Sequence, residues 1–127
     1  MPSPADLRYS DSHEWFRVEG DVVTMGITQF AADQLTDVTY AAMKPVGTTL
    51  SPGESIGEVE SVKTTGDVYT AVAGEIIEVN QAISADPSLV NTDPYGEGWM
   101  VRIRTSDASP LASLKDGAAY DQSLAGA

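Results

Sequence analysis

The sequence predicts a mainly β domain, a sandwich or barrel with short accessory helices and a C-terminal helical region. Three observations lead there. Short β-rich runs recur along the chain, turn signals separate them at close intervals, and helical spacing appears only in brief stretches and near the end. Repeat periods and flexible linkers are absent, so residues 1–127 read as one domain.

The elements follow in order. Trp15–Val18 and Val22–Ile27 are β-rich runs separated by Glu19-Gly20-Asp21, a hairpin signature. Thr28 offers an N-cap for a short helix over Gln29–Leu35, with Phe30, Ala31 and Leu35 at helical spacing. Val38–Met43 reads as a strand stopped by Pro45 and Gly47. Pro52-Gly53 marks a turn before a strand over Ser55–Val62. A break over Lys63–Gly66 precedes a strand over Val68–Val72, an Ala73-Gly74 turn and a strand over Glu75–Val79. Residues 80–98, rich in Asn, Asp, Pro and Gly, predict an irregular loop with a helical turn near Ala82–Ala85. Trp99–Arg104 alternates as a strand. Ser106 or Asp107 then caps a helical region that turns Leu111, Leu114 and Ala118 inward and is interrupted by Gly117.

Composition narrows the function. Apolar residues make up 42% and charged residues 20%, ordinary for a globular chain. Seven basic side chains against 19 acidic ones leave a net charge of -12, which repels phosphate backbones and anionic lipid heads. Nucleic acid and membranes are therefore not expected partners, and basic patches on other proteins are. There is no cysteine, so disulfides, thiolate nucleophiles and cysteine metal sites are excluded, and any sulfur chemistry must be attached from outside. The start Met1–Asp6 lacks the basic and apolar regions of a secretory signal, and no run approaches the roughly 20 apolar residues of a membrane span. A cytoplasmic chain is expected, or one of the mitochondrial matrix if a leader has been trimmed.

Lys63 is the most informative residue. It is one of three lysines, and it falls where the alternation Gly57–Val62 breaks before β character resumes at Val68 and Tyr69. The pattern is two strands joined by a tight turn with a lone cation at the tip. A lysine presented on a rigid acidic hairpin suits a covalently attached group, though a turn lysine is also simply solvated. Lys44, in Ala42-Met43-Lys44, mimics a biotin-attachment motif, but Pro45 stands where a methionine belongs and no matching strand follows closely. Lys115 reads as solvated. The single histidine, His13, has no cysteine, second histidine or serine motif to work with, so packing or hydrogen bonding is expected of it. Scattered carboxylates suggest a hydrolase only weakly, and no glycine cluster has nucleotide-binding spacing. No catalytic residue and no metal site is assigned.

Several blocks together resemble the H-protein family of the glycine cleavage system: His13-Glu14-Trp15, Val22–Ile27 with Thr28, Gly57–Lys63, Gly74–Asn80, Leu89-Val90-Asn91 and Asp93–Trp99. The resemblance runs from Tyr9 to about Tyr120. It implies a lipoyl/biotinyl-type barrel-sandwich hybrid and a non-catalytic carrier with lipoate covalently attached to Lys63. It further implies that Glu60 and Gly74 help a lipoylating enzyme recognise the turn, and that Ser12, Glu14 and Asp67 form a cleft for the loaded arm. The implied partners are the glycine decarboxylase (P protein), which loads an aminomethyl group, and the tetrahydrofolate-dependent aminomethyltransferase (T protein), which removes it. Dihydrolipoamide dehydrogenase (L protein) reoxidises the arm. A monomer is expected. Thr64 and Gly66 depart from the usual alanine and serine, Ala42 stands where glutamate is frequent, and Pro45 falls one position late. These departures leave open a related carrier that donates lipoyl groups to other enzymes or serves only as an interaction module.

Overall fold

A computed structural model describes residues 6–125; the stretch Met1–Ala5, read above as no signal, lies outside them. In chain order the elements are β1 (Arg8–Tyr9), β2 (Glu14–Glu19), β3 (Val22–Ile27), α1 (Gln29–Leu35), β4 (Val38–Met43), β5 (Thr49–Leu50), β6 (Ser55–Ser61) and β7 (Thr65–Tyr69). They continue as β8 (Gly74–Val79), α2 (Gln81–Ala85), α3 (Leu89–Thr92), β9 (Val101–Arg104), a 3-10 turn over Ser109–Ser113 and α4 (Gly117–Ala125). Six strands form one antiparallel sheet in the order β1-β2-β3-β9-β8-β5, and three form a second in the order β4-β6-β7. The expected mainly β sandwich with small helices is what forms, and its two sheets are not closed into one continuous barrel.

Local chemistry accounts for the elements that position the site. Glu19 pairs with Val22 across a two-residue turn, and Gly20 takes the positive φ of 65° that such a turn favours. The Thr28 hydroxyl accepts the Ala31 amide at 3.2 Å, so α1 begins where its cap predicts. Buried residues from both sheets share one core, among them Phe16, Met25, Ile56, Val68, Ile76 and Ile103. A second cluster joins Leu7, Tyr9 and Trp15 to Tyr120 of α4, with the Tyr9 and Tyr120 rings stacked 4.7 Å apart.

The block Asp93–Trp99 fastens these parts together. Trp15 donates its indole N–H to the Pro94 carbonyl at 2.9 Å, and Arg17, lying over the Trp15 ring, donates to the Tyr95 carbonyl. The Tyr95 hydroxyl accepts the first amide of α1, from Gln29, at 3.1 Å. Asn80 donates to the Glu97 and Trp99 carbonyls while its own oxygen caps α2.

Some boundaries move. The tip of the lysine hairpin is tighter than expected, because β7 starts at Thr65, in register with Glu60, rather than at Val68. It also ends at Tyr69, where the Thr70 hydroxyl takes the Val72 amide and turns the chain toward the other sheet. Two-residue β1 and β5 and the four-residue α3 are additional elements. Leu111 is buried as expected, but Ala118 is exposed and Tyr120 faces inward instead. The C-terminal region is interrupted at residues 114–116 rather than at Gly117, which is instead the first residue of α4.

Gly74 has a packing reason. Its φ is 158°, and a Cβ there would lie 2.2 Å from the Arg104 carbonyl oxygen and 2.7 Å from Ile103 Cγ2. Gly74→Ala should therefore destabilise the fold by on the order of 3 kcal/mol, since β8 must move off β9. Urea unfolding measures it, and a midpoint equal to the parent's would contradict the close approach.

Candidate functional site

The lysine hairpin is closed by one serine. Ser61 donates its amide to the Thr64 carbonyl at 2.8 Å, and its hydroxyl accepts the amides of Lys63 at 3.1 Å and Thr64 at 3.0 Å. These bonds satisfy the backbone of the tip without help from the Lys63 side chain, which stays exposed. Val62 at the apex is 71% exposed. The Val62 amide donates to the Asp37 carbonyl, which braces the tip against the start of β4. Among the described residues Lys63 has no ion-pair partner, although the chain carries 19 carboxylates.

Lys63 opens onto a cleft of about 530 Å³ between the hairpin, α1 and the start of β2. Ile27, Ala31, Leu35, Val59 and Val68 form its apolar lining, and Ser12, His13, Glu14, Gln34 and Asp67 supply polar groups. Three residues expected in the arm cleft, Ser12, Glu14 and Asp67, thus lie on one cavity with the lysine. Glu14 is 2% exposed, whereas Asp67 is exposed and stands in register with Glu58.

A buried carboxylate must be met by donors. Glu14 Oε1 accepts the hydroxyls of Ser10 and Ser12, each at 2.5 Å, and Oε2 accepts the Tyr69 amide at 3.1 Å. Tyr69 belongs to the three-stranded sheet and Glu14 to the six-stranded one, so this side chain bridges the two. Ser10 grips Glu14 twice, because its oxygen also accepts the Glu14 amide at 3.0 Å. Three of the roughly four acceptor positions of a carboxylate are filled, which leaves one on Oε2 for a cationic group in the cleft. Ser10 and the Tyr69 amide were not read from the sequence. The Ser-x-Ser-x-Glu spacing at Ser10, Ser12 and Glu14 was the available local signal.

The remaining predicted residues sit apart from the cleft. Glu60 is half-buried on β6, and because strand side chains alternate it faces away from the cleft that Val59 lines. It is opposite Thr65 and Tyr40, beside the lysine tip. Gly74 lies in the other sheet, in register with Leu50 on β5. A Cβ at Gly66 would meet nothing within 4 Å, so the departure from serine has no steric cause. Lys44 follows the last residue of β4, and β5 behind it pairs with β8, so no hairpin presents it. Lys115 is not merely solvated: it pairs with Asp11, whose carboxyl that hydrogen bond and charge hold below the usual carboxylate range, and it bridges to Tyr9.

The glycine cleavage H-protein family model matches residues 7–126. The chain belongs to this family, the lipoyl carriers of the glycine cleavage system. The H protein of Bacteroides thetaiotaomicron is 47% identical over 120 residues, covering 94% of this chain and 95% of that protein. That of Thermus thermophilus is 48% identical over 124 residues, covering 98% and 97%. The crystal structure of an H protein from Mycobacterium marinum superposes with a TM-score of 0.88 at 36% identity, covering 97% of this chain and 99% of that one. Family members are carrier components of a multienzyme complex. Among the described residues no helix is long and apolar enough to cross a membrane.

Ser10→Ala removes a partner of a buried charge and should cost about 2 kcal/mol of stability. Urea unfolding reads the loss. A change within experimental error would mean that Ser10 does not hold Glu14.

Proposed function

We propose that Lys63 carries lipoate and that the protein shuttles an aminomethyl group in the bacterial cytoplasm. The glycine decarboxylase loads it, the tetrahydrofolate-dependent aminomethyltransferase unloads it, and dihydrolipoamide dehydrogenase returns the carrier to its starting state. The observation that carries this reading is an exposed lysine on a side-chain-closed hairpin, at the rim of a cleft whose wall holds a buried carboxylate. The residues fit the group: an exposed amine for an amide bond, an apolar lining for a hydrocarbon chain and polar groups for a charged end.

When bound, lipoate supplies the sulfur that this chain lacks and that takes up and releases the one-carbon amine. The chain itself anchors, orients and shields. Lys63 Nζ would hold the group through an amide. The remaining acceptor position of Glu14, with Asp67 and Ser12 at the rim, attracts a cationic amine by charge-assisted hydrogen bonding. The apolar lining limits water around it. Glu60, beside the tip on the outer face, is accessible to a lipoylating enzyme, and Gly74 contributes to that recognition by fixing β8 against β9. The carrier works as a monomer between encounters.

Intact mass of protein from its native host should show one lipoyl group, absent in Lys63→Ala; lipoyl mass surviving that change would sink the assignment. Lipoylated protein should support glycine-dependent carbon dioxide exchange with the decarboxylase, and none from fully lipoylated chain would favour a carrier for other enzymes. Glu14→Ala should shorten the lifetime of the aminomethyl cargo, and an unchanged hydrolysis rate would count against the cleft.

A further inference from the structure

The turn that feeds the cleft is held in place from the far end of the chain. His13 lies between Ser12 and Glu14 with φ at 69°, a positive value uncommon for residues with a side chain, though histidine and asparagine tolerate it better than most. Its amide donates to the Ser10 carbonyl at 3.1 Å, and its carbonyl accepts the Thr28 amide at 3.0 Å. The imidazole packs on Phe30 at 4.7 Å, and Nδ1 is 2.7 Å from the Tyr120 hydroxyl on α4. That hydroxyl is also 2.7 Å from Thr28 Oγ1, the atom that caps α1. His13 lines the cleft, whereas Tyr120 does not.

We propose that Tyr120 is a positioning residue for the cargo cleft. Through His13 it fixes the Ser10–Glu14 turn, whose two hydroxyls aim the Glu14 carboxylate, so α4 is part of the machinery that shelters the cargo. The inference rests on the carrier reading above.

Proton accounting supports a bond that persists in either state of the imidazole. With Nδ1 bare, Tyr120 donates to it and Thr28 donates to Tyr120. With Nδ1 protonated, it donates to the Tyr120 oxygen and Tyr120 donates to Thr28, which still accepts the Ala31 amide. Both arrangements need the Tyr120 proton, and burial pushes that hydroxyl up to about 12, so it stays protonated near neutrality. The ring is buried at 2% exposure against Tyr9, so Tyr120→Phe removes one oxygen and keeps the stack.

The test uses the full chain. His13 is the only histidine, so histidine labelled with nitrogen-15 gives one imidazole whose signals need no assignment. In unlipoylated protein Tyr120→Phe should move the Nδ1 signal and the amides of Ser12, His13 and Glu14. In the lipoylated, aminomethyl-loaded protein it should speed cargo hydrolysis about fivefold, the loss expected for one hydrogen bond. His13→Asn, which tolerates the positive φ, cuts the same link from the other side. The double variant should therefore decay no faster than the quicker of the two single ones. Fully multiplicative effects, or protection by Tyr120→Phe equal to the parent's, would overturn the inference and leave the carrier reading standing. Parent protein whose cargo decays as fast as that on free lipoyl-lysine would overturn both.

Discussion

The arrangement of the whole site depends on burying the Glu14 carboxylate. A charge taken out of water is tolerable only where donors replace its hydration, and among the described residues the donors that meet it are hydroxyls and an amide rather than cations. Two serine hydroxyls come from the turn before β2, and one backbone amide comes from β7. Because the amide belongs to the opposite sheet, satisfying Glu14 fixes how the lysine hairpin sits against β2 and α1. The cleft is the space that this fixed placement leaves beside the carboxylate. β7 is an edge strand, and Glu14 covers one of its free amides where solvent or another chain would otherwise pair.

The lysine tip follows a complementary logic. Ser61 meets the backbone amides at the turn locally, and among the described residues no carboxylate pairs with the Lys63 side chain, despite the strong acidity of the chain. The residues that depart from the family pattern fall in tolerant places. Gly66 has open space around its Cα, and Thr64 is exposed, so neither disturbs the closure that Ser61 makes. Ala42 lies on β4 in register with Glu58, where a carboxylate would add to the like charges already facing across β6 and β7.

Legibility in the sequence tracked how local the cause was. Val22–Ile27 and the Thr28-capped helix were readable to the residue because hairpin and cap signals are contiguous. The start of β7 was not, since it depends on the side chain of Ser61 shortening the turn. β1 and β5 are two residues each, too short for any periodicity to mark them, and β5 further depends on a partner, β8, about 25 residues along the chain. Lys63 stood out as a pattern break, and Glu14 and Asp67 came from resemblance. Ser10 and Tyr120 were missed for different reasons: Ser10 looks like any turn serine, and Tyr120 reaches the site from 107 residues beyond His13. The Asp93–Trp99 block was conspicuous in the sequence, yet its visible work is structural, fastening Trp15, Arg17 and α1.

The central claim is that the cavity beside Lys63, and not another surface, receives the attached arm. Methyl-resolved NMR of the unlipoylated, lipoylated and loaded protein tests it directly. Contacts are expected between the arm and the methyl groups of Ile27, Val59 and Val68 in the loaded state, with Val46, on the separate groove near Lys44, unmoved. Shifts confined to Val62 at the exposed tip in all three states would contradict it.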